Sequence, residues 1–258
     1  MKRSTKKLDT ASLPYSAVIF SPHPDDETLG CGGTVIKKRR AGADVRIVYM
    51  TDGRRSHVPL MSEDVLAELR FREAHEACKA LGVDEDHIIF LGFHDARLSE
   101  ALDLASRKVL DILSDTEPTE VFIPYHMESL GDHWATNKCV LAALKNHRSE
   151  VAIYEYPVWF WHHWPWISLP RYGLRNKLAA LKEAAFSCFR LLRDFNHVVW
   201  IEDVLRHKHT ALNRYKSQMS RLTHDSRWPI LSDVSNGEWL KCFFQQNEVF
   251  YRYNLHDH

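Results

Sequence analysis

Short hydrophobic segments rich in Val, Ile and Phe alternate with longer amphipathic segments in the first half of the chain. The short segments are typical of β-strands and lie at Ser16 to Phe20, Val45 to Met50, His87 to Leu91 and Val121 to Pro124. The longer segments predict helices at about Leu29 to Arg40, Glu63 to Leu81, Ala101 to Ser114 and Ala135 to Asn146. This alternation predicts an α/β fold, in which a doubly wound, mostly parallel sheet carries helices on both faces.

The pattern changes after a further predicted strand, Val151 to Tyr156. There follow an aromatic cluster (Trp159 to Trp166), a basic apolar stretch (Arg171 to Arg193), a strand (His197 to Ile201) and a last helix (about Asp203 to Leu222). We therefore expect one domain over residues 1–258, with a flexible tail at 1–12 and an aromatic-rich C-terminal insertion at 159–196.

Composition narrows the class of protein. With 258 residues and 45% hydrophobic content, the chain can bury the core of one domain. Its 34 basic residues balance 34 acidic ones, so no long-range field favours nucleic acid or an anionic membrane as partner. Five dispersed cysteines without a C-x-x-C pair indicate a reducing compartment. No apolar run is long enough to span a membrane, and we expect a cytoplasmic protein.

Ionisable residues are concentrated directly after the first predicted strand. His23, Asp25 and Asp26 lie within four residues of each other, and buried together they would need a cation to offset repulsion and desolvation. Zinc binds both imidazole nitrogen and carboxylate oxygen, and a catalytic site needs three protein ligands and an open position. His133 follows the strand Val121 to Pro124 and is the best third ligand, with Asp132 able to orient an imidazole.

Two other interpretations apply to this segment. His-Pro-Asp-Asp can be a turn that ends in an acidic helix cap, although the strand before it and the matching Asp-His favour the metal site. A dinucleotide-binding oxidoreductase is disfavoured, because Gly30-x-Gly32-Gly33 lacks the G-x-G-x-x-G spacing.

The segment from Ser21 to Gly33 resembles the signature of the LmbE-like, or PIG-L, family of N-acetyl-sugar deacetylases, which is His-Pro-Asp-Asp-Glu followed by a Gly-Cys-Gly-Gly-like turn. Further similar motifs occur in the family's order over about Ser16 to Leu222: Tyr49-Met50-Thr51-Asp52-Gly53, Arg70-x-x-Glu73 with Ala77 and Leu81-Gly82, Leu91-Gly92-Phe93-His94-Asp95, and Lys208, Ala211, Leu212, Ser217 and Gln218. The insertion at 159–196 lies outside the resemblance.

The resemblance implies a Rossmann-like domain that holds one zinc ion and hydrolyses an N-acetyl amide. His23, Asp26 and His133 are then the metal ligands, and Asp25 is the general base. Other divalent first-row metals, such as iron(II), cobalt(II) or manganese, also suit a site of two His and one Asp.

The chain departs from the family at the loop that carries the third ligand. The family usually has His-Pro-Asp-His there, and its first His acts on the tetrahedral intermediate, whereas this chain has Leu130-Gly131-Asp132-His133. His126 is the nearest substitute for the missing general acid, with a surface or packing role as its alternative. Asp25 can instead carry the proton to the leaving amine.

The resemblance also implies that Arg54, Arg70 and Asp95 contact sugar hydroxyls. Arg70 has an alternative, an ion pair with Glu73 on the surface of the same helix.

The Trp159 to Trp166 cluster has three interpretations. Its aromatic rings can stack on sugars, lie at a membrane interface beside Arg171, Arg175 and Lys177, or form a subdomain core or dimer contact. Peripheral membrane contact is accordingly an expectation for residues 159–177.

The expected function is hydrolysis of the N-acetyl group of an amino sugar or glycoconjugate, such as a lipid-linked, antibiotic or cell-envelope glycan. One rival is an amidase that acts on a different N-acyl group. The other is a catalytically silent module that binds a metal or a glycan, which the absence of a His at position 130 motivates. The sequence leaves the acceptor molecule and the oligomeric state open.

Overall fold

The computed structural model describes residues 6–7, 12–128, 131–163, 165–168 and 174–255. The strands are β1 (Lys6–Lys7), β2 (Ala17–Ser21), β3 (Val45–Thr51), β4 (Ile88–Phe93), β5 (Glu120–Pro124), β6 (Ala152–Tyr156), β7 (His197–Trp200) and β8 (Asn247–Asn254). The helices are α1 (Asp26–Arg40), α2 (Glu63–Leu81), α3 (Leu102–Thr116), α4 (Gly131–Leu144), α5 (Leu174–Arg193), α6 (Leu205–Leu212), α7 (Lys216–Met219) and α8 (Glu238–Lys241). No helix among the described residues is long and apolar enough to cross a membrane.

The strands form one sheet in the order β1-β7-β8-β6-β5-β2-β3-β4. All described pairings are parallel except those of β8, which runs antiparallel to both β6 and β7. The chain moves outward from β2 to β3 and β4 on one side, and from β5 to β6 on the other. The direction of winding therefore reverses between β2 and β5, and ligands bind at the carboxyl ends of the strands at such a position.

Two clusters of buried side chains cover the two faces of the sheet. One joins residues of α1, α2 and α6, including Val35, Ala77 and Ala211, to the strands. The other joins α3 and α4, through residues such as Val109 and Val140, to the opposite face. The prediction of a doubly wound, mostly parallel α/β fold is confirmed.

The first half of the chain folds as the periodicity predicts, but the second half differs. The last predicted helix is wrong as one continuous element, since it is divided into α6 and α7 by Asn213 to Tyr215. The break turns the Tyr215 hydroxyl inward to donate to Glu27 Oε1 at 2.7 Å. The expected flexible tail lies largely outside the described residues, except that Lys6–Lys7 pair with β7.

Helix α1 is interrupted near the sheet. Cys31 has a non-helical backbone (φ −144°, ψ 15°), which frees the amides that follow it. The Glu248 carboxylate of β8 accepts from the Gly33 and Thr34 amides, both at 2.7 Å, and Lys208 Nζ donates to Leu29 O at 2.9 Å. A side chain at Gly33 would bring its Cβ within 2.7 Å of Ile201, so the close packing of α1 requires glycine. Side chains from the far end of the chain thus satisfy the broken helix.

Candidate metal centre

The candidate site lies where β2 and β5 end. The turn after β2 contains His23 and Asp25, and Asp26 begins α1. His133 occupies the first turn of α4, which starts at Gly131 and so earlier than predicted. Hydrogen bonds hold the turn in place: Thr51 Oγ1 donates to Pro22 O at 2.8 Å, and Ser21 Oγ donates to His23 O at 2.7 Å.

Two imidazole rings converge on one carboxylate oxygen. Asp26 Oδ2 lies 3.2 Å from His23 Nδ1 and 3.3 Å from His133 Nε2. One ligand atom from each of these residues lies within 4.8 Å of the others. His133 Nε2 is fully buried and has no hydrogen-bond partner, which is expected of an atom that coordinates an ion. The donor atoms present therefore fit a divalent metal ion with two nitrogen ligands and one oxygen ligand.

The charges in the cluster also favour a cation. Burial alone would lower the pKa of His133, but Asp26 and Glu128 outweigh it and raise the pKa to about 9. Burial opposes the same change at His23, whose pKa is raised well above its usual value by Asp132, Asp26 and Asp95. The carboxylates thus hold positive charge on both rings, and a divalent ion would supply that charge directly.

Each imidazole has a carboxylate beside its other nitrogen. His23 Nε2 lies 3.3 Å from both Asp132 Oδ2 and Asp95 Oδ1. His133 Nδ1 lies 2.8 Å from Glu128 Oε2, although the two atoms are not aligned as a hydrogen bond. Such partners fix the orientation of metal-binding rings. Asp132 is itself fixed, since it accepts from the backbone amides of Ala96 and Leu98.

Asp25 is buried beside the cluster in a strained backbone conformation, with φ at 127°. Its Oδ2 accepts from Arg70 Nη2 at 3.1 Å, and its amide donates to Glu27 Oε2 at 3.0 Å. Burial raises the pKa of Asp25 to about 7, while the Arg70 guanidinium opposes the change. Gly53 leaves room for this guanidinium, because a Cβ there would lie 2.6 Å from Arg70 Nε.

A cavity of about 280 Å³ opens over the cluster. The polar part of its lining comes from the turn after β2, the loop before α2, α2 itself, the loop after β4 and α7: His23, Asp25, Asp26, Gly53, Arg55, Ser56, Arg70, Asp95 and Gln218. The apolar part comes from Leu29, Trp159, Leu231 and Trp239. Arg70 and Asp95, both predicted to contact sugar, thus line the cavity.

Other predicted residues are not brought to this cavity. The Arg54 guanidinium pairs with Asp52 at 2.8 Å and with Asp64 at 3.2 Å, and it lines a separate depression. His126 Nδ1 lies 2.6 Å from Glu155 Oε2, and the ring is not among the described residues that line the cavity. Leu130 lies outside the described residues.

The alternative prediction for Arg70, a surface ion pair with Glu73, is wrong. Both residues are buried, at 2% and 5% exposure. The Glu73 carboxylate instead accepts from the amide and the hydroxyl of Ser217, at 2.7 and 2.6 Å. Arg70 Nη2 donates to Asp25 Oδ2 and to the Pro24 carbonyl, and Nη1 donates to Ser56 Oγ at 3.1 Å.

The aromatic cluster combines the packing and cavity interpretations. Phe160 is buried against Tyr125 and Phe195, as a subdomain core requires. Trp159 stacks on Trp239, with ring centroids 4.8 Å apart, and lines the cavity. Trp164 and Arg171 lie outside the described residues, as do the side chains of Arg175 and Lys177.

Sequence reasoning missed Glu128 and Trp239. Glu128 Oε1 accepts from the amides of Val158 and Phe160, at 2.5 and 3.1 Å, while its other oxygen lies beside His133. The sequence signal that could have identified Glu128 was an acidic residue in the loop between β5 and the candidate ligand His133. Trp239 lies in a region without hydrophobic periodicity, and no sequence signal identified it.

Known proteins provide independent comparisons. Residues 18–144 match the family model described as PIG-L, GlcNAc-PI de-N-acetylase. The chain is 28% identical over 243 residues to a probable N-acetyl-alpha-D-glucosaminyl L-malate deacetylase 2 from Bacillus cereus, with 92% of this chain and 96% of that protein covered.

Two solved structures show how widely the fold is shared. The N,N'-diacetylchitobiose deacetylase from Pyrococcus horikoshii superimposes with a TM-score of 0.66 at 22% identity, covering 95% of this chain and 87% of that one. The 4-carboxy-2-hydroxymuconate hydratase from Pseudomonas putida superimposes with a TM-score of 0.62 at 13% identity, covering 95% and 97%. At these identities the likeness shows the fold alone.

Proposed function

Because the chain belongs, through residues 18–144, to the PIG-L family, we propose that it is a metal-dependent hydrolase that removes the N-acetyl group from an amino sugar or glycoconjugate. One observation carries the proposal. Two histidine nitrogens converge on Asp26 at the floor of a cavity, and a buried carboxylate that is not needed as a ligand, Asp25, lies beside them.

His23, Asp26 and His133 would hold the metal, with Asp132, Asp95 and Glu128 orienting the two rings. A divalent ion bound there would lower the pKa of a water molecule and polarise the acetyl carbonyl. We propose one zinc ion per chain, because zinc accepts this mixed nitrogen and oxygen set in a three-ligand open site. Iron(II), cobalt(II) and manganese are the alternatives.

Asp25 is the proposed general base. Its carboxylate lines the cavity, and Arg70 Nη2 donates a hydrogen bond to its Oδ2. A base needs reach to the water it deprotonates and a pKa near the working pH, and burial supports the second condition. In place of the sugar contact predicted for it, we assign Arg70 to the positioning of Asp25.

Protonation of the leaving amine is the second acid–base step. His126 was the predicted general acid, but its ring pairs with Glu155 away from the cavity. We therefore favour the alternative in which Asp25 carries the proton from water to the amine nitrogen. Asp95 Oδ2 accepts from the Arg55 amide at 2.9 Å and Oδ1 lies 3.3 Å from His23 Nε2, so contact between Asp95 and a sugar stays a prediction.

The proposed partner is an N-acetylated sugar, and the balance of 34 basic and 34 acidic residues does not favour nucleic acid. The expected membrane contact through residues 159–177 stays a prediction, because the Trp and Phe residues described there line cavities or pack inward. Location in the cytoplasm also stays a prediction.

Acetate release tests the proposal. Metal-loaded protein is incubated with a panel of N-acetylated amino sugars and with their N-propionyl and N-benzoyl analogues, and free acid is measured. Release of acetate in preference to the other acids supports the deacetylase. Preference for a larger acyl group favours the rival amidase, and metal or glycan binding without release of any acid favours the silent module.

A further inference from the structure

A second cavity, of about 640 Å³, lies beside the metal cavity and plays no part in the proposed chemistry. It is lined by Asn247, Glu248 and Val249 at the start of β8, and by Pro157 just after β6. Because β8 runs antiparallel to β6, its start lies at the carboxyl end of β6. This is the same edge of the sheet on which the metal cluster lies.

The two cavities share a wall. Leu29 lines both of them. The short helix at Trp159–Trp161 contributes Trp159 to the metal cavity and Trp161 to the second one, and α8 contributes Trp239 and Lys241 in the same way. The stacked pair Trp159 and Trp239 lines the metal cavity, and their neighbours Trp161 and Lys241 line the second one, so the two cavities are adjacent.

The lining of the second cavity combines aromatic and hydrogen-bonding groups. Trp161 and Trp166 meet edge to face, with ring centroids 5.2 Å apart, and Phe243 adds a third ring. Gln245 and Asn247 are exposed and bring amide groups to the lining. Indole rings stack on the apolar face of a sugar ring, while amide groups form hydrogen bonds with the hydroxyl groups at its edge.

A buried ion pair adds a further donor. Lys208 Nζ donates to Leu29 O at 2.9 Å and to Glu248 Oε1 at 2.8 Å. An ammonium group has three donors, so one is left by the partners described for it. Glu248 has no acceptor position left, since its two oxygens already accept from Gly33, Thr34 and Lys208. An alkyl chain in this cavity would desolvate the polar groups without bonding them, whereas hydroxyl groups would satisfy them.

We propose that this cavity is a subsite for a second saccharide ring, the unit attached to the N-acetyl amino sugar whose amide lies over the metal cluster. The inference rests on the proposed function, because it takes the metal cavity as the place of the N-acetyl group. The aromatic residues 161 and 166, which the family motifs do not include, then select substrates larger than a monosaccharide.

Two adjacent glutamines provide a matched test. Gln245 lines the cavity, whereas the neighbouring Gln246 is equally exposed but donates to Glu202 Oε1 at 3.1 Å, outside it. Gln245→Trp fills the cavity and Gln246→Trp is the control. KM and kcat are measured for N-acetylglucosamine and for N,N'-diacetylchitobiose, with Trp166→Ala as a second variant that removes a wall instead of filling the space.

Gln245→Trp and Trp166→Ala should each raise KM for the disaccharide about tenfold, the loss expected when one ring contact is removed, and leave the monosaccharide KM unchanged. Gln246→Trp should match the wild type for both substrates. Equal KM changes for the two sugars, or none in either variant, would overturn the subsite.

Binding separates this inference from the proposed function. Calorimetry with the same disaccharide is run on metal-loaded protein that carries Asp25→Asn, with and without Gln245→Trp. If the wild type releases no acetate but Gln245→Trp weakens disaccharide binding, the deacetylase proposal fails and the subsite stands. If acetate is released and disaccharide binding is the same with and without Gln245→Trp, the subsite fails and the deacetylase proposal stands.

Discussion

The two walls of the metal cavity are built from different chemistry. One wall comes from residues 18–144 and contains buried ionisable groups such as Asp25, Asp26 and Arg70, which hydrogen bonds and ion pairs hold in place. The other wall comes from the second half of the chain and presents Trp159, Leu231 and Trp239. The family match covers the first wall and stops before the second.

This difference indicates which of the two walls tolerates amino-acid substitution. Metal coordination and hydrogen bonds among buried charged groups depend steeply on distance and angle, so a small displacement weakens them strongly. Aromatic packing is more permissive, because similar shapes can replace one another at modest cost. We therefore expect the first wall to determine the reaction and the second to determine the substrate. Four substitutions test this division.

The largest effect is expected for His133→Ala. The variant removes one of three ligands from a fully buried position, so it should lose the bound metal and all activity. Metal content is measured by elemental analysis after dialysis. His126→Ala, a histidine outside the cavity, is the control and should retain the metal. If His133→Ala binds as much metal as the wild type, His133 is not a metal ligand.

Asp25→Asn should retain the metal and lose about 10²- to 10⁴-fold in kcat, the usual contribution of a general base. The amide keeps the shape of the side chain but cannot accept the proton. Steady-state kinetics and metal content are measured together. Asp64→Asn, at an exposed carboxylate, is the control. Wild-type turnover in Asp25→Asn would show that another group is the base.

Glu128→Gln should weaken metal binding about 10- to 100-fold, as is typical when the partner of a ligating histidine is changed. The amide oxygen of Gln can still accept from the Val158 and Phe160 backbone, so the loop should keep its fold. The metal dissociation constant is measured by competition with a chelator. An unchanged constant would mean that Glu128 serves the loop and not His133.

The smallest effect is expected for Trp159→Ala. Loss of one stacked aromatic contact should raise KM about three- to tenfold and leave kcat nearly unchanged, the pattern of lost uniform binding. Trp200→Ala, at an exposed tryptophan on β7, is the control. A fall in kcat as large as that of Asp25→Asn would show that the second wall also determines the reaction and not only the substrate. A lowered Tm with unchanged KM would assign Trp159 to packing alone.

The proposed metal ligands were largely predictable because they lie in the segments that follow predicted strands. His23 and His133 come after neighbouring strands, and the carboxyl ends of parallel strands meet at one edge. The position of Arg54 outside the cavity was not predictable. The pairing of β3 with β4 is irregular between Tyr49 and Thr51, and in the loop that follows, Arg55 and not Arg54 lines the cavity.

The aromatic wall was predictable only in part. Trp159 follows a predicted strand, so its place at the cavity was one of the expected outcomes. Leu231 and Trp239 belong to a segment of short turns, in which Ser235 and Asn236 have positive φ angles. Such a segment has no periodic hydrophobic pattern, because its side chains are positioned by tertiary contacts and not by a repeating backbone.

The interruption of α1 has a consequence for how the chain is made. The Gly33 and Thr34 amides are synthesised 215 and 214 residues before their acceptor, Glu248. Until Glu248 is present, those amides can be satisfied only by water, and the part of the helix next to His23 cannot be buried without cost. We expect a nascent chain that ends before β8 to bind metal poorly, although it already contains every proposed ligand.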